Sequence, residues 1–130
     1  MKTSKGFTVI ELLVVLVFTG AAAIVFLNGR ASYDAMQRDN QRKIAINAMY
    51  YSLEEVFYEK NSYYPESIDS KTLRSVDPDL FNDPSGIKLG TGNSTYRYEP
   101  AACTDGKCKS YSLVAVMERE AEYRRDSRNR

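Results

Sequence analysis

The chain of 130 residues contains no histidine and only two cysteines. Without an imidazole there is no histidine-based acid–base or triad chemistry, and two thiolates fall short of the four ligands of a structural zinc site. No glycine-rich phosphate loop follows a strand pattern, and neither cysteine can be argued to be an activated nucleophile. Enzymatic activity and a cofactor are therefore not expected. A strong charge excess is also missing: 18 Lys and Arg stand against 17 Asp and Glu, which is not the basic footprint of a nucleic-acid binder. Long apolar runs are limited to one, near the N-terminus, and the remaining length allows one small domain but not two.

That run, Phe7 to Leu27, holds 21 residues, 17 of them apolar. As a helix it would be roughly 31 Å long, the thickness of a bilayer's hydrocarbon core. Inside it stands Glu11. An ionisable group in such a segment costs at least ~2.5 kcal/mol on insertion scales, which marks it as functional and requires a partner. Lys2 and Lys5 precede the run and favour lipid headgroups, and Thr8 offers only a hydroxyl. Cleavage between Gly6 and Phe7 would create a cationic α-amine on Phe7. On a helix beginning at Phe7, residues 7 and 11 share a face, and Glu11 lies near the positive end of the helix dipole. The same amine on a neighbouring copy would serve equally well. Two plainer readings compete: a secretory signal peptide cut near Gly20-Ala21-Ala22-Ala23, and an ordinary single-pass anchor. The first leaves Ile24 to Leu27 and Glu11 without purpose, and the second leaves Glu11 unpaired.

The stretch Lys5-Gly6-Phe7-Thr8-Val9-Ile10-Glu11-Leu12-Leu13-Val14-Val15-Leu16 resembles the prepilin leader and N-terminal helix of type IV pilins and type II secretion pseudopilins. The resemblance implies that a prepilin peptidase cuts after Gly6 and methylates the new N-terminus at Phe7, and that Glu11 guides subunit docking into a helical filament. It implies a structural subunit of a type IV pilus. The alternatives are a pseudopilin of a type II secretion or competence system and, from another class, a monomeric membrane-anchored extracytoplasmic binding module. The implied partners are copies of the chain or other pilins, the peptidase, an inner-membrane assembly platform and the membrane itself. No nucleic acid is expected. The lysines before the run orient the N-terminus to the cytoplasm, so residues after about Leu27 face an extracytoplasmic space. The cytoplasmic membrane would hold the chain before assembly, and a cell-surface pilus or a pseudopilus afterwards.

The expected fold class is α+β and pilin-like. A long N-terminal α-helix, about residues 7–60, packs its C-terminal half on a small antiparallel sheet. The expected organisation is a leader at 1–6, a transmembrane or filament-core helix at 7–27 and its amphipathic continuation at 28–60. A variable loop region at 61–93, strands with a cysteine loop at 94–118 and a polar tail at 119–130 complete it. Ile46, Met49, Leu53 and Val56 recur at helical spacing, widened by Phe57, as a core stripe. Arg30 to Lys43 is polar on nearly all sides and is expected to emerge from the domain. If helical throughout, residues 7–60 make a rod of about 80 Å. Gly20 and Gly29 are places where it would bend or unwind, or, at Gly20, pack closely on another helix.

Asn61 and Pro65 should end the helix. The stretch from Glu59 to Pro65 looks like the end of the long helix in pilins and pseudopilins. From Glu66 to Asn93 turn residues dominate, with room for a short helix around Ser70 to Val76. Strands follow at Ser94 to Glu99 and through Tyr111 to Met117, joined by a hairpin-like connection from Pro100 to Lys109 and supplemented by one strand from the loop region. Cys103 and Cys108 flank an Asp105-Gly106 turn signal, and in an oxidising compartment they form a disulfide. No metal site is expected from them. Asp77, Asp79, Asn82 and Asp83 offer the closely spaced oxygens that calcium takes, and major pseudopilins bind calcium in a loop. Aspartates there are also ordinary turn-formers, and the spacing does not match an EF-hand. Many of the ten tyrosines fall at stripe or strand positions and are read as packing groups. The tail mixes Glu118, Glu120, Glu122 and Asp126 with arginines from Arg119 to Arg130, and reads as a solvated, frayed end.

Overall fold

A computed structural model describes residues 6–129, so Met1 to Lys5 of the expected leader, and Arg130, lie outside the described residues. The chain forms two units, parted between Ala35 and Met36. Helix α1 runs from Val9 to Tyr51 and is α-helical through both Gly20 and Gly29. A π-helical segment, Ser52–Tyr58, and a last turn, α2 (Glu59–Asn61), continue it without a break in helical structure. Ser62 then adopts the left-handed conformation that terminates helices, its amide donating to the Tyr58 carbonyl at 2.7 Å.

In residues 36–129 the helix packs on a four-stranded antiparallel sheet, an α+β arrangement. Strands β1 (Tyr64–Pro65), β2 (Tyr96–Thr104), β3 (Lys107–Ala115) and β4 (Tyr123–Asp126) are arranged with β3 at the centre. It pairs with β2 along one side and with β1 and then β4 along the other. Tyr96, Tyr111, Leu113 and Ala115 point into the core with Met117, as their alternation implied, and meet Ile46, Met49 and Leu53 of the helix.

The segment Pro100 to Lys109 closes the expected hairpin, with β2 and β3 paired through it to a two-residue turn at Asp105-Gly106. Both turn residues take positive φ, 52° and 74°, which is what a type I′ hairpin demands. Pro100 is tolerated because β2 has a neighbour on one side only, so its missing amide removes no ladder bond from the other. The polar tail is not frayed. Residues 123–126 form β4, and the Ser127 amide donates to the Tyr111 carbonyl at 2.9 Å. Nor does a helix form over Ser70 to Val76. There the Asp69 carboxylate draws the amides of Lys71 and Thr72 into turns, and the short 3₁₀ helix lies at Pro78–Phe81 instead.

The stripe also departs from its expected course. Ile46, Met49 and Leu53 are fully buried, whereas Val56 is 40% exposed. The π segment inserts extra residues per turn, which rotates Val56 outward and carries Glu54 inward. Glu54 is buried and accepts from the Tyr111 hydroxyl at 2.8 Å, the Tyr64 hydroxyl at 3.0 Å and the Arg128 amide at 3.2 Å. One carboxylate thus joins helix, β1, β3 and the C-terminal segment. Burial, with this carboxylate beside it, pushes the Tyr64 hydroxyl up to about 12 and raises Tyr111 further in the same direction.

The polar run of α1 around Arg38 to Lys43 likewise belongs to the packed unit. Asp39 and Arg42 are buried, and Glu118 and Glu120 after β3 pair with Arg38, Arg42 and Lys43. Of the tyrosines, Tyr50, Tyr64, Tyr96 and Tyr111 are core residues, while Tyr33 and Tyr51 are exposed.

Candidate functional site

Every large apolar side chain of α1 from Val9 to Leu27 is exposed, from Val14 at 48% to Val9 at 79%. From Leu12 to Gly29 there is no charged residue, a span of about 27 Å as helix. Among the described residues this is the one helix long and apolar enough to cross a membrane. A helix that is apolar all round is unstable in water and needs lipid or other helices. Thr19 fits such surroundings, since its hydroxyl donates back to the carbonyls of Val15 at 2.8 Å and Leu16 at 3.1 Å and leaves no unmet donor.

Helix α1 begins at Val9, not at Phe7. Thr8 is its cap: the Thr8 carbonyl accepts from the Leu12 amide at 3.2 Å, and its hydroxyl accepts from the Glu11 amide at 3.4 Å. Phe7 therefore precedes the helix in the uncut chain and does not share a helical face with Glu11 there. Threonine followed three residues later by glutamate is the spacing of a capping box, and Phe7 and Leu12 hold the positions of its hydrophobic staple. Glu11 lies in the first turn, exposed, where the helix dipole favours a carboxylate. Among the described residues its carboxylate has no ion pair. Gly6 and Phe7 are exposed, outside regular structure, and open space surrounds Gly6. A peptide bond in such a setting is accessible to a protease.

The remaining sequence candidates fall in residues 36–129. Cys103 and Cys108 form a disulfide across the β2–β3 pair, next to the turn. Two of the aspartates considered for calcium, Asp77 and Asp83, are committed to the chain's own backbone. Asp77 accepts from the Asp79 amide at 3.0 Å and so caps the 3₁₀ helix. Asp83 accepts from the amides of Ser85, Ile87 and Thr95 and from the Thr95 hydroxyl. Although burial opposes it, this set of donors holds the Asp83 carboxyl below its ordinary value. Among the described residues no three His, Cys, Asp or Glu side chains come together as a metal-binding group.

The capping role of Thr8 escaped the sequence reading, although its signal was present in Thr8-Val9-Ile10-Glu11. No family model, curated protein or solved structure matches this chain.

Proposed function

We propose that this chain is a pilin-type structural subunit of a type IV pilus, assembled through its N-terminal apolar helix after removal of residues 1–6. The observation that carries the reading is Glu11 in the capped first turn of a fully exposed apolar helix, directly after the accessible Gly6-Phe7 bond. Lipid would cover the helix before assembly, with the following domain extracytoplasmic, and neighbouring helices would cover it in a cell-surface filament. Cleavage would leave Phe7, then N-methylated, as a cationic terminus one residue before the cap. In a packed array of such helices, Glu11 of one copy would neutralise that terminus on the next. Its position before the helix makes this intermolecular pairing more natural than pairing within one chain.

Mass spectrometry of the mature N-terminus tests the processing step. An N-methylated Phe7 supports it, and an intact Met1 would sink it in favour of a monomeric anchored binding module. The Cys103–Cys108 hairpin and the closed C-terminal strand favour a pilus over a pseudopilus. Long surface fibres containing this chain at native expression are the expected result. Their absence, together with a secretion defect on deletion, would assign the chain to a secretion pseudopilus.

A further inference from the structure

Residues 36–129 depart from ordinary backbone geometry at four places, and all four meet at one cleft of about 490 Å³. The π segment ends there at Tyr58. The three non-glycine residues with positive φ among the described residues, Ser62 at 59°, Ala102 at 54° and Asp105 at 52°, all wall it. Ser62 and Asp105 have local reasons, a helix end and a tight turn. Ala102 differs from both: it lies inside β2, between the paired positions Ala101–Ser110 and Cys103–Cys108. A β-carbon in that conformation is strained and persists where its surroundings over-determine it, a pattern that clusters at binding sites. The disulfide beside it supplies that constraint. The disulfide ties β2 to β3 along this wall, which lowers the ordering cost of binding there.

The lining chemistry narrows the ligand. Tyr58 and Tyr63 contribute aromatic rings, held by neighbours: Tyr58 lies 4.8 Å from the Tyr64 ring and Tyr63 5.8 Å from Phe57. Lys107 sits 5.2 Å from the centre of the Tyr63 ring, and Lys109 lines the same cleft. Neither lysine has an ion pair among the described residues. Asp105 is the single acid in the wall, and Asn129 and Thr104 add neutral donors and acceptors. Two cations without a carboxylate partner among the described residues ask for a negative charge, Lys107 from its place over the Tyr63 ring. The aromatic faces ask for a ring with apolar C–H edges, and the carboxylate and amide ask for hydroxyl donors. A bare phosphate satisfies only the first demand, since it has no ring face and no apolar edge. The volume lies in the ordinary range for small-molecule sites.

We propose that this cleft binds an acidic sugar ring, a uronic-acid unit, with its carboxylate on Lys107 and Lys109 and its face against Tyr63. The test uses the full chain in detergent micelles, so it is independent of leader cleavage and of filament assembly. Sodium D-glucuronate, D-glucose and sodium acetate are titrated separately while backbone amide shifts are recorded. The expected result is saturable millimolar binding of glucuronate centred on Tyr63, Lys107 and Lys109, at least tenfold weaker binding of glucose, and none of acetate. The doubly substituted chain, K107A with K109A, should lose at least tenfold in glucuronate affinity at an unchanged melting temperature. Equal binding of glucose, equal binding of acetate, or no saturable shift with glucuronate would each overturn the assignment, as would full affinity in the double variant.

Discussion

Asp39 and Arg42, one turn apart on α1, form an ion pair at 2.7 Å with both side chains almost wholly buried. Asp39 also accepts from the backbone amides of Glu118 at 2.9 Å and Arg119 at 3.0 Å, so a helix carboxylate holds the chain that follows β3. Arg42 in turn reaches Glu118 at 2.9 Å, while its Nε has no hydrogen-bond partner among the described residues. The buried guanidinium therefore depends on these two carboxylates. Replacing one partner of a buried pair strands the other, at a cost of about 3–5 kcal/mol. Asp39→Ala should lower the unfolding free energy by roughly that amount, read from urea denaturation of the full chain in detergent. A loss below ~1 kcal/mol would mean that Glu118 and Arg119 are held by other contacts.

The same cluster sets the acid limit of the domain. Hydrogen bonds from Arg38 and Arg42 bring the Glu118 carboxyl down to about 2 from an ordinary 4.5. Asp39 is lowered too: burial works against ionisation, but the amides of Glu118 and Arg119 and the Arg42 guanidinium outweigh it. A carboxylate depressed in the folded state contributes stability that is present above its unfolded value and lost as pH falls through its folded value. The melting temperature of residues 36–129 should therefore hold down to about pH 4.5 and fall towards pH 2. Glu118→Gln should flatten that fall, measured by circular dichroism across the range. An identical pH profile in the variant would remove Glu118 from the account.

Much of this architecture was legible because it follows apolar period. Tyr96, Tyr111, Leu113 and Met117 alternate, and Ile46, Met49 and Leu53 recur at helical spacing, so sheet face and helix face could both be named. Elements held by polar pairing were hidden. Residues 123–126 read as solvated charge, yet Arg125 stacks 4.0 Å over the Tyr50 ring and the backbone completes the β3 edge. Asp39 and Arg42 were lost in a run that is polar on every side, where only an acid–base match at i and i+3 distinguishes them. Glu54 could not be placed inward, because a strict 3.6-residue period turns it away and the π segment that reverses this has no sequence mark. At the N-terminus the spacing of Gly6, Phe7 and Glu11 is visible in the sequence, while the Thr8 hydroxyl, taking the Glu11 amide, sets the start of α1 at Val9.

The disulfide closes a short loop, with a sequence separation of 5 between Cys103 and Cys108. Chain-entropy arguments give a loop of this size about 2 kcal/mol, less than a long loop would. The paired strands and the Asp105-Gly106 turn already hold the hairpin. Reduction, or the double change C103S with C108S, should therefore leave the domain folded and lower its stability by about 2 kcal/mol, measured by denaturation with and without reductant. Loss of the folded state on reduction would show that the turn and ladder cannot hold the hairpin alone.

The proposed function gives Glu11 two separable roles, and one substitution distinguishes them. As the third residue of a capped helix it can reach back to the Thr8 amide, a task that glutamine performs comparably. As a partner for the cationic Phe7 terminus of a neighbouring copy it must carry charge, which glutamine lacks. Glu11→Val removes both and should leave leader cleavage and membrane insertion intact while impairing incorporation into filaments. Glu11→Gln is the sharper test: helicity and insertion should match the parent chain, whereas incorporation, read by immunoblot of sheared surface fibres, should fall at least tenfold. If the glutamine variant assembles as well as the parent chain, Glu11 acts as a cap for α1 and the pairing between copies is wrong. A loss equal to that of Glu11→Val, with helicity preserved, would assign the effect to charge, since Thr8 still caps the first turn in both variants.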